Sequence, residues 1–261
     1  MKTRDLSEFF SLAGKTALIT GGGSGLGLAV AEAFAQYGAA VAVVDVDEAA
    51  AREVADSIEA AGGRALAVRC DVADQAQVVA AVASTAKALG DIHILFSNAG
   101  IGDRAPAEEM TLEQWQRVLD INLSGAWYFD QAVGVHMIER GIKGSIINTS
   151  SITSLVGITT GNANYAATKG ALNALTRTLA IEWARYGIRV NAIAPTHVKT
   201  ALIEQKMKDD PALAEFFLNN IPLGRMGTPE DIAGAAIYLA SEAGALVSGH
   251  VLVVDGGHTI R

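Results

Sequence analysis

The stretch TALITGGGSGLGLAVAEAFAQYG, residues 16–38, passes from an apolar run through a glycine-rich turn into a helical pattern. Thr16–Thr20 is nearly continuous in apolar and β-branched residues, as expected of a strand buried on both faces. Five of the eight residues of Thr20–Gly27 are glycine, so something comes close to the backbone there. Strand, glycine turn and helix in that order aim backbone N–H groups and the positive end of a helix at one point. Both favour an anion, most naturally a phosphate. The strict G-x-G-x-x-G pattern fails; Gly21, Gly25 and Gly27 fit G-x-x-x-G-x-G, with Ser24 and Leu26 between them. No lysine follows the last glycine, which disfavours a triphosphatase loop.

Outward from this unit, short apolar runs alternate with longer helical patterns. Strands are expected at Thr16–Thr20, Ala40–Val44, Ala65–Arg69, Ile92–Ser97, Ser145–Thr149, Ile188–Ile193 and His250–Val254. Helices are expected at Gly25–Tyr37, Glu48–Ala61, Asp74–Leu89, Thr111–Glu139, Ala163–Tyr186 and Pro229–Ala240, with Pro229 at a first helical position. The alternation predicts an α/β fold, a single-domain Rossmann-type doubly wound parallel sheet of about seven strands flanked by helices. No linker or repeat divides the 261 residues.

Half the chain is apolar and the net charge is −8, with no run of five like charges. A nucleic-acid binder would present a basic face, so none is expected as a partner. Cys70 is the one cysteine, closing the apolar alternation RALAVRC, and reads as a core thiol. An internal disulfide is impossible and no cysteine cluster suggests a metal. No segment approaches the roughly 20 apolar residues of a membrane span, and the first residues do not read as a signal peptide. A cytoplasmic protein without a membrane partner is expected.

Asp45 ends the second strand, 24 positions after Gly21. A carboxylate at that place reaches the ribose hydroxyls of an adenosine and repels a 2′-phosphate. No arginine or lysine stands beside Asp45 or in the glycine turn, so the residues point to NAD rather than NADP. Asp71, after the third strand and followed by Val72, either accepts from the adenine amino group or caps a helix. Tyr165 and Lys169 lie four apart in an expected helix and share a face. A neighbouring ammonium stabilises a phenolate and lowers a pKa that is otherwise near 10. Such a tyrosine can take the proton of an alcohol while hydride leaves.

The ordered set of TGGGSGLG, Asp45, Asp71, SNAG at Ser97–Gly100, Asn122 in DINLSG, INTSS at Ile147–Ser151, the Tyr165/Lys169 pair, NAIAPTHVKT at Asn191–Thr200 and VDGG at Val254–Gly257 resembles the short-chain dehydrogenase/reductase family over nearly the whole chain. The resemblance implies that Tyr165 is the acid/base and that Ser151 polarises the substrate oxygen. It implies that Lys169 binds the nicotinamide ribose and depresses the tyrosine pKa. Asn122 would interrupt its helix and hold a water linking Lys169 to solvent. Asn98, Ala99 and Gly100 would pack beside the adenosine half. Pro195, Thr196, Val198 and Thr200 would line the nicotinamide, with Ile193 and Thr200 fixing its carboxamide. Relatives of this kind assemble as homotetramers, through faces that here correspond to the long helices and the last strand.

Three features depart from the family pattern. Ser151 and Tyr165 are 14 apart, one more than many members show, so either the intervening loop carries an extra residue or Ser150 or Thr153 shares the role. Thr196 replaces a glycine, and Ser97 stands where asparagine is common. The segment between Thr200 and Arg225, broken at Asp210-Pro211, reads as a helical cap over the substrate. Its apolar residues, such as Leu202, Met207 and Phe216, are equally explained as packing against the core. Arg104, Ser154, Asn162, His197 and Lys199 are polar candidates for the substrate mouth, alongside Thr153. Arg104, His197 and Lys199 either are solvated surface charges or, near one mouth, would suit an anionic sugar or sugar acid; GHVLVVDGG with His250 resembles sugar-acid and polyol members. The function expected is NAD-dependent interconversion of a secondary alcohol, of sugar, sugar-acid or polyol type, with its carbonyl. The alternatives are a hydrophobic or cyclic alcohol, or a catalytically silent NAD-binding sensor or scaffold.

Overall fold

The computed structural model describes residues 5–158 and 161–260, with every side chain among them except those at 202, 206 and 211–214. Seven strands form one sheet: β1 Thr16–Thr20, β2 Ala40–Asp45, β3 Arg64–Arg69, β4 Ile92–Ser97, β5 Ser145–Thr149, β6 Arg189–Pro195 and β7 Val251–Val254. All pairings are parallel and the spatial order is β3-β2-β1-β4-β5-β6-β7. The chain winds outward from β1 in one direction, then returns and winds outward from β4 in the other. The crevice beyond the ends of β1 and β4 is therefore the topological switch point, where open α/β sheets bind ligands.

β1 and β5 are buried at every residue, as strands covered on both faces are. One face of the sheet is covered by α1 Gly25–Gln36, α2 Glu48–Ala60 and α9 Pro229–Ala240, around Ile19, Phe34, Val43, Ile94 and Phe96. The other is covered by α3 Gln75–Leu89, α5 Gly125–Arg140 and α6 Ala163–Trp183, around Leu18, Leu95, Phe129, Met137 and Ile146. Each large apolar side chain enclosed in this way stabilises the fold by about 1.5–3 kcal/mol. Cys70 lies in the second layer, and burial pushes its thiol up to about 11.

Several element ends differ from the sequence expectation by one to three residues, and two differences concern the site. The helix expected over Thr111–Glu139 is divided: α4 Leu112–Leu119 passes into a π turn at Asp120–Ser124 before α5 resumes at Gly125. Gly125 N donates to Asp120 O across this turn, the i→i+5 bond that widens the helix. β6 runs two residues beyond Ile193, because Ala194 and Pro195 pair with Val253 and Val254. Proline is tolerated there because it closes the strand. The break at Asp210 is present: α7 Ala201–Asp209 and α8 Pro211–Asn219 meet there. Met207 packs with Ile203 against Phe217, Ile221 and Met226, while Phe216 is half open to solvent. The side chain of Leu202 lies outside the described residues.

The glycine turn is set by close packing. A Cβ on Gly27 would stand 2.0 Å from the carbonyl oxygen of Gly21. Gly21 itself has φ +61°, and a Cβ there would meet Ala99 Cα at 2.9 Å. The turn thus closes on the start of α1 and on the residues after β4 together. Gly27→Ala is expected to destabilise the chain by about 1–3 kcal/mol, since a methyl must be forced into a filled space. A thermal melt of that variant that overlays the wild type would contradict this packing.

Candidate active site

The first turn of α1 opens into the switch-point crevice. Its N-cap Ser24 makes no side-chain capping bond, whereas Asp47, Asp74, Thr111 and Thr228 cap α2, α3, α4 and α9 through their side chains. The N-terminal amides of α1 are thereby left for an anion. Asp45 stands at the end of β2 against this turn: its Oδ2 accepts from Gly23 N at 2.9 Å and its Oδ1 from Asp47 N at 3.0 Å. Asp71 is exposed and its Oδ1 accepts from Ala73 N, so part of its capacity is used in its own turn, while Val72 is buried beside Gly125. Asn98 braces the crevice: its Nδ2 donates to the carbonyls of Thr20 and Gly21 at 3.1 and 3.2 Å. Thr20 Oγ1 accepts from the amides of Asn98 and Ala99. Across the crevice, Thr200 lies 3.6 Å from where a Cβ of Gly25 would stand. The segment after β6 therefore faces the glycine turn. Val198 is held by a bridge to Gly227, and Pro195 and Thr196 are buried. Ile193 does not reach this space: its side chain is in the core and its carbonyl accepts from Ser150 N at 2.7 Å.

The end of β5 and the first turns of α6 bring the reacting groups together. Ser151 stands near enough to the phenol of Tyr165 to lower its pKa, and its Oγ accepts from Thr153 N at 3.2 Å. Lys169, fully enclosed, donates from Nζ to Thr149 O at 2.6 Å and lies 5.5 Å from the centroid of the Tyr165 ring. Burial lowers the Lys169 ammonium to about 8. The expected depression of the Tyr165 pKa is absent in the chain alone. Enclosure of its hydroxyl raises it, against the lowering effects of the Ser151 hydroxyl and the Arg104 charge. The reason is geometric: the lysine ammonium is turned to a carbonyl, and desolvation dominates.

Ser150 is not part of this group. Its hydroxyl donates to Asn173 Oδ1 at 2.7 Å and is buried behind the strand. Of the three candidates, Ser151 is the one that acts on the Tyr165 phenol. Thr153 Oγ1 is buried with no hydrogen-bond partner. Asn122, in the π turn, is fully buried and joined to Ile101 twice, accepting from its N–H at 2.8 Å and donating to its carbonyl at 2.9 Å. Its side chain is thus spent on the loop after β4, under Gly100.

A cleft of about 290 Å³ between the turn after β5 and the start of α6 is lined by Ala107, Thr153, Val156, Gly161, Asn162 and Ala166, among others. Arg104 is exposed, and its charge acts on both Tyr165 and His197. His197 stacks on Phe217 of α8 with ring centroids 3.9 Å apart, and its Nε2 is buried without a partner. Burial, with His258 and Arg104 nearby, lowers it to about 4, so the ring is neutral at physiological pH. Thr196 Oγ1 and His258 Nδ1 are 2.8 Å apart behind it. Lys199 is instead exposed and paired with Glu204 at 3.1 Å, so its charge is already matched. Ser154 donates to Ser151 O and accepts from Asn173 Nδ2 at 2.8 Å, within the strand-end network rather than the mouth. Among the described residues no three His, Cys, Asp or Glu side chains gather to hold a metal. No helix among them is long and apolar enough to cross a membrane.

Sequence reading missed Asn164, which orients the helix that carries Tyr165. Buried completely, it donates from Nδ2 to Asp103 O and Gln114 O, at 2.9 and 3.3 Å, and accepts from Tyr165 N at 2.7 Å. Asn173 was missed likewise. An asparagine one residue before a tyrosine carries no periodic signal; the approach of the 101–105 loop and of α4 gives it partners.

The family model described as Enoyl-(Acyl carrier protein) reductase matches residues 21–259. D-threitol dehydrogenase of Mycolicibacterium smegmatis is 42% identical over 252 residues, 97% of this chain and 95% of that protein. Among solved structures, a short-chain type dehydrogenase/reductase from Mycobacterium marinum superposes with a TM-score of 0.93 at 39% identity, covering 98% of this chain and 100% of that one. A gluconate 5-dehydrogenase from Burkholderia cenocepacia in complex with NADP and tartrate gives a TM-score of 0.92 at 40% identity, covering 97% and 98%. With the parallel seven-stranded sheet, the glycine turn at its switch point and a tyrosine and lysine at the strand ends, these likenesses establish that the chain belongs to the short-chain dehydrogenase/reductase family.

Proposed function

We propose that the chain is an NAD-dependent dehydrogenase that interconverts a secondary alcohol of sugar, sugar-acid or polyol type with its carbonyl, using Tyr165 as acid/base. The observation that carries the reading is the enclosed phenol of Tyr165 with the Ser151 hydroxyl close by and the Lys169 ammonium beside the ring. A substrate oxygen in reach of both hydroxyls is polarised by Ser151 while Tyr165 gives or takes its proton. Burial keeps the phenol protonated at neutral pH, which suits donation to a carbonyl oxygen. Proton removal from an alcohol needs added positive charge near the phenol, and Arg104 already acts in that sense.

The residues present fit a nicotinamide dinucleotide. The uncapped start of α1 and the glycine turn would hold its diphosphate, Asp45 its adenosine ribose, and Val198 and Thr200 its nicotinamide end. When bound, that cofactor exchanges the hydride and, oxidised, brings positive charge. The Asp45 carboxylate, with no basic neighbour in sequence, opposes a 2′-phosphate and favours NAD. The NADP-bound relative makes this the finer point to measure.

Arg104 supports an anionic or richly hydroxylated substrate, since it forms no ion pair among the described residues and its charge reaches Tyr165 and His197. D-threitol in the name of one relative and gluconate and tartrate in that of another point to the same chemistry. We also propose a homotetramer, supported by apolar side chains left exposed on the long helices and near the C-terminus: Val135 at 45%, Ile181 at 80% and Ile260 at 88%.

Polyols, aldoses and sugar acids offered with NAD+ should yield NADH in the wild type, and Tyr165→Phe should lose turnover at least about a thousandfold while still binding the cofactor. Turnover retained by that variant would remove the tyrosine from the chemistry. NADP+ should be the poorer acceptor for the wild type, and Asp45→Ala should narrow the difference; a wild-type preference for NADP+ refutes the reading of Asp45. Arg104→Gln should raise KM about tenfold or more for a sugar acid and little for a neutral polyol. Equal effects on both would assign Arg104 to the solvated surface. Sedimentation equilibrium at micromolar concentration should report four chains, and a monomer would contradict the assembly.

A further inference from the structure

On the α5–β5–α6 side of the sheet lies a polar cluster outside the site just described. Asp130 of α5 and Asn148 of β5 are both fully enclosed. Asn148 Nδ2 donates to Asp130 Oδ2 at 3.0 Å and to Thr176 Oγ1 of α6 at 3.3 Å, which uses both amide hydrogens. Two oxygens remain, Asp130 Oδ1 and Asn148 Oδ1, each buried and each without a partner. They belong to the two members of a single hydrogen bond. An ionised Asp130 would leave a full charge in a dry core with one donor, and a bare amide oxygen beside it. One proton removes both defects.

We infer that Asp130 is a neutral carboxylic acid whose Oδ1–H donates to Asn148 Oδ1, closing an acid–amide ring that ties α5 to β5 and, through Thr176, to α6. Burial pushes the Asp130 carboxyl up to about 7, opposed only by the Asn148 amide. The titratable groups on the elements around it exert no charge effect on it: Lys87 on α3, His93 on β4, Asp120 in the π turn, Lys169 and Arg177 on α6, and His136 on α5 itself. Asn148 directly precedes Thr149, whose carbonyl holds Lys169 Nζ, and Ser151 follows two residues later. The ring therefore fixes the strand end that carries both groups, and Asp130 is a positioning residue for them. That catalytic consequence rests on the function proposed above; the protonation does not.

Asp130→Asn is the diagnostic variant, because an amide at 130 can make the same two bonds to Asn148 without a titratable proton. An infrared difference spectrum at pH 6, wild type against Asp130→Asn, should show the carbonyl stretch of one protonated carboxyl in the wild type only. The native state keeps a proton that the unfolded chain, with an aspartate pKa of about 3.9, has released. Rising pH therefore favours unfolding: the ratio of unfolding constants, wild type to Asp130→Asn, should climb about tenfold per pH unit from about pH 5 to about 7 and level off above. Asp130→Ala should lower kcat with little change in KM, and Asp130→Asn should recover it. A carboxylate band at pH 6, or a ratio independent of pH, overturns the neutral acid. A kcat untouched by Asp130→Ala overturns the positioning role. Should no alcohol be turned over by any form, the proposed function fails, while the infrared and unfolding results still decide the proton.

Discussion

Everything in the crevice depends on how closely the backbone packs where β1 gives way to α1. Gly27 sits over the carbonyl of Gly21, and Gly21 over Ala99, with no room for a side chain in either contact. Asn98 then ties the end of β4 to that same turn through two carbonyls. The parallel sheet reverses its winding between these strands, so the contact also joins the two halves of the fold. An uncapped helix start, a carboxylate at the end of β2 and the segment after β6 are gathered around it.

The other half of the site is governed by burial. Lys169 and Tyr165 share a helical face, yet the ammonium is turned to the carbonyl of Thr149, and exclusion of water from the phenol outweighs the favourable charges around it. The same dry environment lowers Lys169 to about 8 and His197 to about 4. Deeper in the sheet it lifts Asp130 to about 7. In each case the low-dielectric interior disfavours the charged form, and only local partners decide by how much. Charge brought in with a ligand therefore has large effects in such a site, because little solvent screens it.

The architecture was open to reading because burial on both faces leaves a plain mark in parallel strands: the runs at β1, β4 and β5 have the expected bounds. The break before Pro211 and the start of α9 at Pro229 were legible for the same local reason, the fixed geometry of proline. The π turn at Asp120–Ser124 was not read from periodicity, since one inserted residue barely shifts a helical pattern; only the family likeness suggested an interruption at Asn122. Nor could spacing choose between Ser150 and Ser151. The choice follows from Asn173, which draws Ser150 into the core from α6. Lys199 looked equal to Arg104 in sequence and differs because Glu204 stands one helical turn beyond Thr200.

The sequence by itself determined the order of strands and helices, the glycine turn, the acidic end of β2 and the tyrosine–lysine register, because each is a local pattern of burial, backbone freedom or helical spacing. Tertiary structure alone decided which hydroxyl meets the phenol, where the lysine ammonium points, and how far each buried group departs from its ordinary pKa. Those quantities depend on atoms brought together from distant parts of the chain and on the water they displace, neither of which a linear pattern records.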